Sequence, residues 1–291
     1  MTVNHRAGEC FAKIDRGSEM LFILLSILSS VIIANMLLIL SRGKKIDIMM
    51  IFLGNYFLAS IFSFLQVNPA NFSPNLFDIL FGVFTGICFL CNFIVYQRNI
   101  YTNGLSLSVG VMRVAVIIPT FLSVIFFADR ISSFNLIGIM VIIIAFWTIT
   151  EKNKIGQYIW LIVLFLISGI TDSTLKVYAE LGQADQAPFV FILFLAAFFS
   201  TLSWIIVTKR SFSLPYFLFG LLLGIPNQLS TRFFLQGLET VPAPVAYPLT
   251  ASSIVLLSIL SDIFIWRKMF TPKQRLALLL LIAGIVLINL R

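Results

Sequence analysis

Leu80-Phe81-Gly82-Val83-Phe84-Thr85-Gly86-Ile87 reappears 138 positions later as Leu218-Phe219-Gly220-Leu221-Leu222-Leu223-Gly224-Ile225. Five of the eight positions are identical, both glycines among them. Apolar residues match one another readily, so the glycine pair carries most of the weight. Thr102 and Thr240 keep the same offset, and one residue of slippage lays Leu107–Ser132 over Ala246–Thr271. The chain reads as two copies of one unit.

Both copies are made of apolar runs. The chain has 291 residues, 59% hydrophobic and 11% charged, with a mean hydropathy of +1.03. A soluble domain carries about 25% charged residues, so this chain is neither soluble nor disordered, and lipid is the solvent for most of its surface. A membrane-crossing helix needs about 20 mostly apolar residues. Runs of that kind cover 19–40, 48–66, 76–97, 104–127, 134–150, 156–177, 188–207, 214–236, 245–266 and 274–290. The alternating segments of about ten residues that build a membrane barrel are absent. The expected fold is an all-α integral membrane protein with ten transmembrane helices. Residues 1–18 form a polar tail, 19–152 a first five-helix repeat and 153–291 a second. The first run is too long for a secretory signal and ends in the basic stop Arg42-Gly43-Lys44-Lys45, so it reads as a retained helix. Met20 offers a second translation start. The gaps carry turn signals such as Asn68-Pro69, Ser73-Pro74, Thr102-Asn103-Gly104 and Thr271-Pro272, and none has room for a soluble domain.

Five helices per copy is an odd number, so the second copy enters the membrane in the opposite direction. That makes a 5+5 inverted repeat, an architecture typical of secondary transporters. Two similar, oppositely directed halves can exchange conformations and so expose one site to each side in turn.

The arrangement resembles the drug/metabolite transporter superfamily, in particular its ten-helix EamA-like transporters, over about residues 19–290. The residues that carry the resemblance close the fourth and ninth runs. Pro119 lies mid-helix and is followed by Phe126-Phe127-Ala128-Asp129-Arg130-Ile131-Ser132, Asn135 and Gly138. This matches a family pattern of an acidic residue, a tight turn and a glycine in the next helix. Pro244-Val245-Ala246-Tyr247-Pro248-Leu249-Thr250 opens the ninth run, where Lys268 departs from the pattern by standing in the acidic position. The resemblance implies a multi-pass transporter of small metabolites, amino acids or drugs among them, often by export across the cytoplasmic membrane. It also implies a central cavity lined by the third, fourth, eighth and ninth helices.

Ionisable groups inside a span are costly and mark function by default. Arg113 lies nine residues into the fourth run, about 13 Å deep at helical rise. It stays charged, so it needs an acceptor, water or an anionic substrate group; the alternatives are snorkelling or pairing with another helix. In the eighth run Gln228, Arg232 and Gln236 recur at i, i+4, i+8 beside Asn227 and the mid-helix Pro226, either as a polar site or as a packed polar face. Asp172 and Lys176 stand one turn apart in the favourable acid-before-base order. They read as a neutralised structural pair or as a coupling site, with protons the candidate coupling ion. Asn92, Tyr96, Tyr247, Thr250 and Ser252 add neutral candidates, each also fit to hold helices together.

Other classes fit less well. The net charge of +8 sits in short gaps, with no basic stripe for nucleic acid. Cys10, Cys88 and Cys91 form no disulfide framework, and Cys88 and Cys91 read as small packing residues. The lone histidine, His5, lies in the polar tail, which excludes His-based metalloprotease and Ser-His-Asp sites. The chain reads as a non-enzyme without cofactor or metal. The partners expected are a small-molecule substrate and the lipid bilayer, with no nucleic acid; nothing in the sequence assigns an oligomeric state. Flipping of a lipid-linked substrate is the runner-up function; a membrane-embedded enzyme acting on lipid or envelope precursors ranks well below it, and a channel is less favoured than flipping because no repeated filter motif appears. With ten spans both termini share a side holding five basic residues against twelve on the other. The positive-inside rule puts the termini outside, whereas the resemblance implies termini inside.

Overall fold

The computed structural model describes residues 20–36, 39, 47–69, 72–103, 111–149, 158–183, 185–265, 267 and 272–289. The tail 1–18 with His5 and Cys10, the loops 41–45 and 151–154, and Lys268 lie outside the described residues. The helices are α1 (Met20–Met36), α2 (Ile48–Phe64), α3 (Leu76–Asn103), α4 (Val111–Phe126), α5 (Ser133–Ile149), α6 (Tyr158–Leu181), α7 (Gln186–Val207), α8 (Leu214–Leu238), α9 (Ala243–Phe264) and α10 (Pro272–Asn289). No strand appears among the described residues.

Local chemistry sets the helix starts. Asp47 accepts the Met49 N–H at 3.1 Å and caps α2. Asn75 and Asp78 bond each other's backbone N–H at 2.8 and 3.1 Å before α3, and Ser132 and Asn135 do the same before α5, reciprocal caps that satisfy two donors each. Pro215, Pro244 and Pro272 sit in the first turns of α8, α9 and α10, where a missing N–H costs nothing.

The sequence-expected limits shift in places. The third apolar run ends at 97, but α3 extends to Asn103; the sixth ends at 177, but α6 extends to Leu181. Hydropathy ends where polar residues begin, whereas a helix can run on: Ala179, Glu180 and Leu181 are good helix formers, and in α3 the Asn99 side chain donates to the Val95 carbonyl at 3.0 Å and to the Trp160 carbonyl of α6 at 2.7 Å. Within α4 the helix is interrupted at Ala115–Val116. Pro119 has no N–H for the Ala115 carbonyl, and the Ile118 N–H takes it instead at 3.0 Å, the tighter i to i+3 pattern expected where proline breaks the ladder.

Leu76–Asn99, Ile159–Leu181 and Gln186–Val207 are long and apolar enough to cross a membrane. Met20–Met36, Ile48–Phe64, Val111–Phe126, Ser133–Ala145 and Ala243–Leu257 are shorter apolar helices. The surface is inverted relative to a soluble protein. Leu21, Leu24, Leu28 and Ile32 line the outside of α1, and Ile159, Ile162, Leu166 and Ile170 that of α6, while Asn55, Ser63, Thr85, Asn99, Thr171 and Gln228 are buried.

The sequence repeat recurs in the packing. α2 and α7 start at Ile48 and Gln186, each preceded by an aspartate, Asp47 and Asp185, and α3 and α8 start at Leu76 and Leu214. All three pairs are 138 apart. A Cβ on Gly86 of α3 would lie 2.4 Å from the Leu193 carbonyl oxygen and 2.9 Å from the Ala197 nitrogen of α7. A Cβ on Gly224 of α8 would lie 2.6 Å from the Asn55 oxygen and 3.1 Å from the Ala59 nitrogen of α2. Asn55 and Ala59 are the repeat counterparts of Leu193 and Ala197. The glycines are therefore where two helix backbones meet, and they meet at the same positions in each copy. Of the main packings, α2–α8 corresponds to α3–α7, while α2–α7, α4–α9 and α5–α10 correspond to themselves. The α3–α6 contact is matched by α1–α8, where Ser30 and Ser230 hydroxyls lie 2.6 Å apart, and α4–α6 by α1–α9, where Asn35 donates to Ser261 at 3.1 Å.

Candidate functional site

Four helices deliver a charged and aromatic group to one place. Arg113 comes from the first turn of α4, Tyr96 from α3, Asp172 from α6 and Tyr247 from α9. Arg113 is within electrostatic reach of both Tyr96 and Asp172, and Asp172 within reach of Tyr247. The Tyr247 hydroxyl donates to the Asp172 backbone carbonyl at 2.5 Å and so ties α9 to α6. Both tyrosines are buried, whereas Arg113 and Asp172 are partly buried. Among the described residues Arg113 and Asp172 close no salt bridge with each other. A cation and a carboxylate held apart in a shared apolar setting can each engage a polar solute. Thr250 follows Tyr247 by three residues, hence on the same side of α9, and its buried hydroxyl has no partner.

The other candidates are occupied by hydrogen bonds within the protein. Ser168 of α6 donates to the Asn92 side-chain oxygen at 2.7 Å. Ser252 donates to the Pro248 carbonyl of its own helix at 2.6 Å. Asn227 donates to Asn55 of α2 at 3.2 Å. Gln228, at 3.0 Å, and Arg232 both donate to the side-chain oxygen of Gln66, just beyond α2. The polar stripe on α8 thus converges on one amide, although the buried Oε1 atoms of Gln228 and Gln236 have no partner.

The pairing of Asp172 with Lys176 is corrected. Lys176 bonds Asp129 at 2.9 Å and also Glu180, and Asp172 faces Arg113 instead. The i, i+4 rule allowed Lys176 either acid on its helix, four residues before or after. The fold leaves Asp172 on the side facing α4 and α9. Sequence reasoning missed Gln66 and Glu180 as partners. Glu180 carried a signal, its i+4 spacing from Lys176; Gln66 carried none. Cys88 and Cys91 are free thiols. Among the described residues no group of three His, Cys, Asp or Glu could hold a metal.

An all-helical chain with an apolar exterior, apolar helices of spanning length and charged groups gathered inside is a multi-pass membrane protein. The model of the EamA-like transporter family matches residues 156–290. Over that stretch the chain is similar to the EamA-like transporter family, consistent with the drug/metabolite transporter superfamily, and the similarity points to a membrane transporter of that type. No curated protein matches the chain. A crystal structure of another protein shares its fold with a TM-score of 0.73 at 13% identity, over 94% of this chain and 98% of that one.

Proposed function

We propose that this chain is a secondary transporter of small metabolites, exporting them across the cytoplasmic membrane by alternating access between two inverted five-helix repeats, 19–152 and 153–291. Ten spans follow from the ten apolar runs, and the two-copy arrangement is supported by the matched glycine contacts of α3 with α7 and α8 with α2. The observation that carries the function is the meeting of Arg113, Tyr96, Asp172 and Tyr247 from four helices, two in each repeat. Arg113 is suited to an anionic group of the solute, Asp172 to a cationic group or a proton, and Tyr96, Tyr247 and Thr250 to neutral contacts.

The test compares metabolite accumulation in cells with the wild-type chain, with Arg113→Ala and without the protein. The variant should reach the membrane at normal levels yet lose transport, because its site no longer holds the solute's anionic group. Normal flux through Arg113→Ala would remove that residue from the site. Asp172→Asn should uncouple flux from an imposed pH gradient, and an unchanged gradient dependence would reject Asp172 as the coupling group.

A further inference from the structure

We infer that Asp129 and Lys176 form a one-sided latch that holds shut the face of the protein bearing the α4–α5, α6–α7 and α8–α9 turns, so that the resting molecule is open toward the opposite face. The inference rests on the alternating-access reading and adds to it which state is favoured and what holds it.

The latch joins the two repeats. Asp129 follows α4, and Ala128 before it has φ 54°, a left-handed conformation that L-residues rarely adopt. That turn returns the Asp129 N–H to the Ser123 carbonyl at 3.3 Å and brings its carboxylate to the second repeat. There Oδ2 accepts Lys176 Nζ of α6 at 2.9 Å and the Ala243 N–H at 3.3 Å. Ala243 opens α9, so its N–H is one of the donors that a helix leaves without an internal partner, at the end of the helix that attracts anions. One carboxylate therefore clamps a side chain and a helix terminus at once. The Lys176 side chain is 2% exposed and Asp129 17%, and the Phe127 ring lies 5.6 Å from the ammonium, within cation–π range.

The same cluster contains a means of release. A buried ammonium stripped of its partner is strongly disfavoured. Glu180 also bonds Lys176, lies on the same helix and is 38% exposed. When Asp129 withdraws, Glu180 keeps Lys176 paired. The latch therefore opens by exchange of partner, without an uncompensated charge.

On the opposite face the described residues show a weaker contact. Asp47 and Arg210 pair there at 3.1 Å, but their side chains are 26% and 38% exposed, and such open pairs contribute little. In the repeat register Lys268 stands where Asp129 does, and Leu38 where Lys176 does, so exchanging the halves brings no matching acid–base pair together. The latch is also one helical turn from the candidate site on both helices that carry it. Lys176 follows Asp172 by four residues on α6, Tyr247 follows Ala243 by four on α9, and the Tyr247–Asp172 bond links the two turns. A solute that displaces Asp172 or Tyr247 moves the groups that hold Asp129.

The test uses the full chain, with Cys10, Cys88 and Cys91 replaced by serine and Thr250→Cys as reporter, in membrane vesicles of both orientations. A membrane-impermeant thiol reagent is applied from each face, without any solute. Asp129→Asn should raise labelling from the latch face about fivefold or more, the scale of a typical coupling between states, and lower it from the other face. Glu180→Gln should do the reverse, because it removes the partner that permits release. A cluster with a purely structural role would leave both rates unmoved, or shift them together in both variants, and either result overturns the latch. If Asp129→Asn fails to reach the membrane, Glu180→Gln decides alone: labelling from the latch face that is unchanged or faster overturns the proposal. Labelling is read without transport, so a wild-type chain that moved no solute would count against the transporter reading and leave this measurement standing.

Discussion

Replacing Gly220 with alanine tests the idea that the repeated glycines exist so that helix backbones can touch. The added Cβ would lie 2.1 Å from the Ile51 carbonyl oxygen and 2.9 Å from the Asn55 nitrogen of α2. A carbon rests against a carbonyl oxygen at about 3.3 Å or more, so the helices must part by about 1.2 Å. A backbone carbonyl inside a helix cannot rotate away, and α2 and α8 pack extensively along their described lengths. Alanine gains about 1 kcal/mol over glycine in helix propensity, while forced overpacking typically costs about 1–3 kcal/mol. Because the clash is with backbone, the cost falls at the upper end of that range, and Gly220→Ala should lose about 1–2 kcal/mol net. Gly82 is its repeat counterpart, but a Cβ there would meet Ile192 Cγ2 at 2.8 Å, Ile192 Cβ at 3.2 Å and Phe189 Cδ2 at 3.6 Å, side-chain atoms that can give way more readily than backbone. Gly82→Ala should therefore stay within about 0.5 kcal/mol of wild type, the propensity gain offsetting a small rearrangement. Thermal unfolding in detergent, followed by tryptophan fluorescence, ranks the two. A Gly82→Ala loss as large as that of Gly220→Ala, or a gain in stability at Gly220, would refute the close-approach argument.

Two other outcomes follow from the same contacts and charges. Ser230→Ala removes the hydroxyl that faces Ser26 and Ser30 of α1 and should lower stability by about 0.6–1.7 kcal/mol, the range for bonds between membrane helices; an unchanged unfolding midpoint would show that α1 is held by packing alone. A reporter fused after Arg291 should read as extracytosolic if the distribution of basic residues governs insertion, and cytosolic activity would show that the topology implied by the family resemblance prevails over the charge count.

Some of the site could be read in advance because membrane burial makes charges conspicuous. Arg113 and Asp172 stand out as charges in apolar runs, and Tyr96 and Tyr247 are candidates by residue type alone. Their convergence was not readable, since it depends on how α3, α4, α6 and α9 approach one another. Gln228 and Arg232 were recognised as one stripe, but their shared partner Gln66 lies 162 residues from Gln228, beyond any local spacing rule. Asp129 was visible as a motif residue, yet its grip on Lys176 and the Ala243 N–H joins segments 47 and 114 residues away.

What the chain declares by itself is its solvent and a pair of glycines that recurs 138 residues later. Apolar content puts it in lipid because no compact core could bury so much, and Gly86 and Gly224 mark helix crossings because no side chain may intervene where two backbones touch. Only the tertiary structure decided which acid neutralises Lys176 and which remains beside Arg113. Periodicity along one helix offers a lysine two equally spaced partners, and the choice is made by the neighbouring helices that occupy one side of it.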